Sequence, residues 1–204
     1  MKKTYYLILF IFSFFDTFSQ KNKLEHISVA ITTSHTAFPF ASFSKLFTKD
    51  FHPGMEMGTG FNWRTKTKHD WFQSFKVGYS YHRFVQHSVV LYSEAGYRYK
   101  FLKTFAAEAR LGAGYMHSIP VGKIYKLSGD GVYKKKANLG RPQAMAAFSL
   151  GATKKLGGSN IVVFLQYQQR IQLPFIKSYV PLLPSNMLFA GARMPIRSRG
   201  SAIK

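Results

Sequence analysis

Cysteine is absent from the 204-residue chain. Its absence excludes disulfide bonds, thiolate metal sites and a lipid anchor attached to a cysteine, so packing and backbone pairing must hold the fold. Long apolar runs are also missing from the sequence after its first segment. None approaches the roughly 18 consecutive apolar residues that a transmembrane helix needs, which excludes a helical membrane domain.

The N-terminal segment has the pattern of a secretory signal peptide. Two lysines precede an apolar run at 7–15, and Thr17 and Ser19 are the small residues expected three and one positions before a cleavage point. A transmembrane anchor is the alternative, but the run is too short to span a bilayer and a polar residue ends it. We therefore predict a signal peptide at 1–19 and a single exported domain at 20–204.

Acidic residues are scarce, with 8 Asp and Glu against 29 Lys and Arg and a formal net charge of +21. Such an excess indicates a polyanionic partner, and nucleic acid is the usual one for a cytoplasmic chain. Export argues against nucleic acid and favours the lipids of the bacterial outer membrane, lipopolysaccharide included. The 17% aromatic content suits a membrane barrel with interfacial girdles. The sequence indicates no particular protein partner.

Two neighbouring runs, 89–101 and 105–119, alternate apolar and polar residues over lengths unusual for a soluble strand. Successive side chains of a strand point to opposite sides, so each run has one apolar face and one face of charge and glycine. Such lengths suit strands that cross a bilayer at a tilt. The same alternation predicts eight strands, at 24–34, 55–63, 71–85, 89–101, 105–119, 142–153, 161–173 and 187–196.

The connections between these strands alternate in length. Long ones are predicted at 35–53, 120–141 and 174–186, short ones follow the second, fourth and sixth strands, and a tight turn near 86–88 breaks the pattern. Short periplasmic turns and long external loops typify outer-membrane barrels. We predict an all-β, eight-stranded antiparallel up-and-down transmembrane β-barrel with a charge-filled interior. A soluble sandwich is the alternative, because its strands alternate as well.

The polar faces carry charges of both signs, which would meet inside a closed barrel. Buried carboxylates need cationic partners, and eight strands enclose a lumen that side chains can fill. We expect a packed interior without an open pore, centred on Glu94 with Arg98 and on Glu108 with Arg110. The predicted interior network comprises Glu56, Lys76, Glu94, Arg98, Glu108, Arg110, Arg170 and Arg193.

Five motifs connect the chain with a known group of proteins: HPGMEMGTGFNW, FKVGYSYHRFVQ, SEAGYRYKF, LGAGYMHS and LPSNMLFAGARM. With them the sequence resembles the small outer-membrane β-barrel proteins of the Bacteroidetes group, and in architecture the OmpA/OmpX-type barrels. Such barrels commonly end on an aromatic residue, whereas this chain ends RSRGSAIK. We expect the last strand to end at Ile196 and residues 197–204 to form a periplasmic tail.

The resemblance also implies a chemistry to consider, because some eight-stranded barrels are lipid A hydrolases or acyltransferases that use Ser, His and an acid. His87 and Ser88, in the predicted tight turn, and His117 are weak candidates without an evident acid nearby. His117 and Ser118 are adjacent in a strand, so their side chains point to opposite sides. The histidines lack a ligand-like spacing, and neither a metal site nor a cofactor is predicted.

Lys134, Lys135 and Lys136 form a basic cluster in the longest connection. A solvated loop tip is the plain interpretation, and contact with lipopolysaccharide phosphates is the sharper one. We predict a non-enzymatic outer-membrane barrel with a structural, adhesive or surface-interaction role through its external loops. A lipid A-modifying hydrolase or acyltransferase is the first alternative. A small-solute channel is the second, which a charge-filled lumen disfavours.

Overall fold

The computed structural model describes residues 24–40, 51–122, 124–127, 129, 131–136, 139–175 and 181–196. The predicted signal peptide at 1–19 and the predicted tail at 197–204 lie outside the described residues. The strands are β1 (His26–His35), β2 (Pro53–Thr65), β3 (His69–His82), β4 (Gln86–Lys100), β5 (Phe105–Pro120), β6 (Ile124–Leu127), β7 (Tyr133–Lys136), β8 (Arg141–Lys155), β9 (Val162–Leu173) and β10 (Leu183–Pro195).

Eight of these strands close into one barrel in the order β1-β10-β9-β8-β5-β4-β3-β2, and β6 pairs with β7 in a separate hairpin. Every neighbouring pair in the barrel is antiparallel. Each barrel strand therefore lies beside the one before it, and β1 and β10 complete the closure. The predicted eight-stranded up-and-down barrel is confirmed.

The strands run farther than their apolar patterns predict. Asp70, expected in a connection, belongs to β3, and β10 begins within the expected loop at 174–186. The tight turn lies at 83–85, because 86–88 already pair in β4. The ladder continues through these polar residues because its hydrogen bonds join backbone groups. The connection at 120–141, expected as a loop, contains the β6–β7 hairpin.

The connections divide the barrel into two unlike ends. We call one the loop end, which carries the connections at 36–52, 83–85, 121–140 and 174–182. The other is the turn end, which carries the short connections at 66–68, 101–104 and 156–161. Residues 24–25 and 196, which flank the first and last strands, also lie at the turn end.

The barrel wall is apolar outside and polar inside. Leu91 and Leu111 face outward and are 61% and 67% exposed, whereas Glu94 is 1% exposed in the lumen. A soluble barrel would hide the leucines and expose the glutamate. An apolar exterior around a polar interior is the arrangement of transmembrane β-barrels.

Aromatic side chains on β3 and β4 lie at both ends of the apolar exterior. Trp71 packs against Tyr97 at the turn end, and Tyr79 and Tyr81 lie beside His87 near the loop end. Trp71 and Tyr79 are about 27 Å apart along an extended strand. A tilt of roughly 40° reduces this to about 21 Å, close to the ~25 Å apolar band of such barrels. In the described part of the chain, no helix has the length and apolar character to cross a bilayer.

The outward face predicts how a charge placed on it will act. Leu111→Arg should lower the free energy of unfolding in phosphatidylcholine vesicles by about 2–4 kcal/mol, because it places a cation near the bilayer midplane. Urea titration measures the change. The unfolded fraction at each urea concentration is read from gels of unboiled samples, because the folded barrel migrates faster than the unfolded protein. Leu139→Arg is the matched control, since Leu139 is 83% exposed outside the strands. Equal effects at both positions would contradict a lipid-facing exterior.

Candidate functional site: the charged interior

The lumen is filled by ionic side chains that the strand period turns inward. Among the described residues, four carboxylates are buried there, namely Glu56, Asp70, Glu94 and Glu108. Six cationic side chains are buried or half-buried with them, namely Lys76, Arg98, Lys100, Arg110, Arg170 and Arg193. The lumen therefore contains more positive than negative groups.

Lys76 and Arg110 connect the carboxylates in the part of this network that lies nearer the loop end. The Lys76 ammonium lies 2.9 Å from a carboxylate oxygen of Glu56 and 2.9 Å from one of Glu94. Arg110 reaches the same Glu94 at 3.2 Å and also pairs with Glu108. Each cation thus bridges two carboxylates, and each carboxylate avoids the large cost of being buried without a partner.

Glu108 is the group on which most cations converge. Arg193 donates two hydrogen bonds to its carboxylate, at 2.8 and 2.7 Å, which is the bidentate geometry that favours arginine. Arg98 donates from Nε at 2.6 Å, and Arg110 is the third guanidinium. Arg193 comes from β10 and Glu108 from β5, so this contact crosses the lumen instead of joining neighbouring strands.

Asp70 extends the network to the turn end. Its carboxylate pairs with Arg98 at 3.2 Å and with Lys100 at 2.7 Å. The sequence interpretation missed Asp70, because the polar run at 64–70 concealed that this residue is in phase with Ser74 and Lys76 on β3. Its alternation with Trp71 is the signal that could have found it.

Neutral polar groups complete the environment of the carboxylates. Gln168 and Ser149 donate to one oxygen of Glu94 at 3.0 and 3.2 Å, and the Tyr92 hydroxyl donates to Glu56. Arg170 joins through Gln168, to which its guanidinium donates at 2.8 and 3.2 Å. These contacts satisfy the remaining lone pairs, as a buried ion pair requires.

Phe72 is the apolar centre of this polar lumen, and it is 1% exposed. The guanidinium carbons of Arg98 and Arg110 lie 4.8 and 5.1 Å from its ring centroid. Gly96 makes room for the ring, because a Cβ at that position would lie 2.3 Å from Phe72. Gly112 has the same role toward Glu94, whose Cγ would lie 2.7 Å from an added Cβ.

One expected pairing is wrong. Glu94 was expected to pair with Arg98, yet Glu94 pairs with Lys76 and Arg110, whereas Arg98 pairs with Asp70 and Glu108. Glu94 and Arg98 share a face of β4, but four residues of extended chain separate them by about 13 Å. The expected pairing of Glu108 with Arg110 is present.

The structure separates the candidate catalytic residues. The ring of His87 is near the exposed hydroxyl of Tyr79, 2.7 Å away, whereas Ser88 is buried and its hydroxyl lies 2.6 Å from that of Ser80. His117 donates from Nε2 to the Leu139 carbonyl at 2.8 Å. The expected turn at 86–88 is a strand, so His87 and Ser88 point to opposite sides. These residues therefore do not place a nucleophile in contact with a base.

Metal binding and contact with anionic lipid are two further functions that the described residues bear on. Within the ranges that the structure describes, no three His, Asp or Glu side chains are placed to hold a metal ion. Lys134, Lys135 and Lys136 lie on β7, where their backbones pair with β6. Their side chains lie outside what the structure describes.

The fold and its interior define a class: a small β-barrel of transmembrane type, closed by eight antiparallel strands around a charged lumen. No protein-family model matches the chain, and no curated protein matches it. Among solved structures it is similar to Ail, the attachment invasion locus protein of Yersinia pestis, at 12% identity and a TM-score of 0.49, over 86% of this chain and 100% of that one.

Two other solved barrels are similar over comparable lengths. Neisserial surface protein A matches at 8% identity and a TM-score of 0.48, over 85% of this chain and 96% of that one. The outer membrane enzyme PagL matches at 13% identity and a TM-score of 0.47, over 84% of this chain and 99% of that one. At these values the likenesses carry no argument about activity or partner.

Removing the central carboxylate should weaken the barrel. Glu108→Gln leaves three guanidinium groups around a neutral amide, so we expect a loss of about 3–5 kcal/mol in the free energy of unfolding. Urea titration in detergent, monitored by tryptophan fluorescence, measures it. Glu25→Gln is the control, because Glu25 is an exposed acid at the turn end whose partner is Asn62. Equal stabilities of the two variants would contradict the central role of Glu108.

Proposed function

We propose that the chain is a non-enzymatic outer-membrane protein, of the kind found in Bacteroidetes, whose barrel supports a surface-interaction role at the loop end. In this proposal the segment 1–19 directs export, and the turn end faces the periplasm. The apolar exterior, the aromatic side chains at both of its ends and the long connections at one end support this orientation.

The observation that carries the proposal is the exposure of aromatic side chains at the loop end. Phe38 and Phe51 in the first loop are 75% and 62% exposed, Phe84 in the tight turn is 72% exposed, and Tyr133 of the hairpin is 69% exposed. Aromatic side chains that stand beyond the membrane band have no lipid to cover them. Such exposed apolar groups, rimmed by polar residues, are typical of interaction surfaces.

Basic residues accompany these aromatic groups. The connection at 121–140 carries Lys134, Lys135 and Lys136 together with two further lysines and a single acid. Clustered lysines attract phosphates as point charges. The nearest phosphates to an external loop are those of lipopolysaccharide, so we propose that the hairpin contacts this lipid and that the aromatic groups add apolar contact.

The geometry of the candidate residues supports a non-enzymatic role over a lipid A-modifying one. His87 and His117 contact tyrosine hydroxyls on the outer surface, whereas Ser88 and Ser118 are buried inside. A serine hydrolase needs its nucleophile and base within one hydrogen bond. The continuous ion pairs across the lumen likewise oppose the small-solute channel.

Binding to lipopolysaccharide tests the surface role. The triple variant Lys134→Gln, Lys135→Gln, Lys136→Gln should bind immobilised lipopolysaccharide at least about fivefold more weakly than the wild type, because three charges are lost. Surface plasmon resonance with the protein in non-ionic detergent measures this. The matched control is Arg64→Gln with Lys66→Gln and Lys68→Gln, which removes three exposed charges from the turn end. Equal binding by all three proteins would refute the proposed contact.

Lipid A chemistry distinguishes the enzymatic alternative. Cells that express the wild type, Ser88→Ala or His117→Ala should have identical lipid A in mass spectra, because these residues are not in contact with each other. An acyl chain that disappears with the wild type and returns with either variant would establish the hydrolase instead. Gel migration before and after boiling confirms that each variant is folded.

A further inference from the structure

A cavity of about 240 Å³ opens at the turn end of the barrel. Its wall includes the inward faces of β1, β4, β5, β8, β9 and β10 and the connection at 101–104. A cavity needs only about 10–15 Å³ of such volume for one water molecule, so this one has room for a hydrated anion or a lipid headgroup. Neither the proposed surface role nor the lipid A chemistry uses this cavity.

Cationic side chains dominate the lining. Arg98, Lys100, Lys103, Lys155 and Arg193 surround the cavity, and Glu25 is the one acid among its lining residues. The carboxylate of Glu25 is directed to Asn62, whose backbone and side-chain amides both donate to it. The positive charge of the cavity is therefore poorly compensated by its own wall.

The deeper cations are only partly neutralised by the interior network. Arg98, Lys100 and Arg193 share the carboxylates of Asp70 and Glu108. Glu108 also receives Arg110, so its charge is divided among three guanidinium groups. One positive charge remains in excess among these groups, and their partial burial strengthens its attraction for an anion.

The exposure of the cationic side chains increases from the lumen to the opening of the cavity. Side-chain exposure rises from 7% for Arg193 to 17% for Arg98 and 33% for Lys100. Lys103 and Lys155 stand at the rim, and neither forms an ion pair with any residue in the described ranges. An anion would first meet the two free ammonium groups and then the fixed guanidinium groups below them.

We infer that the turn-end cavity is a binding site for a phosphate group. Donors approach the cavity from β4, from the 101–104 turn, from β8 and from β10, and a tetrahedral anion with several oxygens can accept from many directions at once. Thr104 and Asn160 add neutral donors at the rim. The phosphate can come free in solution or as the headgroup of a phospholipid in the adjoining leaflet. The site itself does not depend on the proposed function.

A titration with inorganic phosphate tests the site. The full chain is labelled with nitrogen-15, held in a phosphate-free non-ionic detergent, and titrated at constant ionic strength with chloride as the replaced anion. We expect saturable shifts of backbone amides in the connections at 101–104 and 156–161. Lys103→Gln with Lys155→Gln should weaken the affinity roughly tenfold, because both rim charges are lost.

Two controls localise the binding. Lys66→Gln with Lys68→Gln removes the same charge from the same end of the barrel but from outside the cavity. The triple glutamine variant at 134–136 removes charge from the hairpin. Both should keep the wild-type affinity within about twofold, and boiled and unboiled gel migration confirms folding. A wild type that does not saturate, or an equal loss in all variants, overturns the inference.

The source of the phosphate is decided by lipid retention. Native mass spectrometry follows phosphatidylglycerol carried by the wild type and by Lys103→Gln with Lys155→Gln after extraction from mixed nanodiscs. Retention by the wild type alone assigns the site to a phospholipid headgroup. Saturable binding of inorganic phosphate without retained lipid assigns it to the free anion. If the wild type neither retains phosphatidylglycerol nor binds inorganic phosphate saturably, the site is refuted. That result would leave the proposed binding of lipopolysaccharide by the hairpin unaffected.

Discussion

The burial of the Glu108 carboxylate among three guanidinium groups is the interaction on which the rest of the barrel depends. An exterior that must be apolar favours an inward position for the charged residues in the middle of the strands. A carboxylate inside can stay ionised only with cations in contact, because its desolvation is otherwise too costly. Arg193 supplies two of these contacts from across the lumen, so the same ion pairs that neutralise Glu108 also tie β10 to β5.

A lumen filled in this way leaves the two ends as the places where the molecule can meet other molecules. The loop end exposes aromatic side chains, and the turn end opens a cationic cavity. The ends differ because the ion pairs do not balance: the cations outnumber the carboxylates, and the surplus near Arg98 and Lys100 reaches the turn end. The packed middle separates these two surfaces.

Much of the fold could be predicted because the side chains of a strand alternate between its two faces with a period of two residues. That local period placed Leu91 and Leu111 outside and Glu94 and Glu108 inside. The prediction is wrong where a run of polar residues indicates a turn but the strand continues through it. Asp70 lay hidden in a run of polar residues, and 86–88 were assigned to a turn although their backbones pair in β4. Backbone hydrogen bonds extend a ladder wherever a partner strand continues, which side-chain polarity does not reveal.

The sequence by itself determined the eight barrel strands, the inward face of most of their charges and the excess of cations, because these follow from neighbours in the chain. Only the tertiary structure decided which charges meet. Arg98 stands directly across from both Asp70 and Glu108 in the strand registers, whereas Glu94 is too far along the same strand. Register, strand tilt and the reach of Arg193 across the lumen arise from closure of the whole barrel, and no local pattern encodes them.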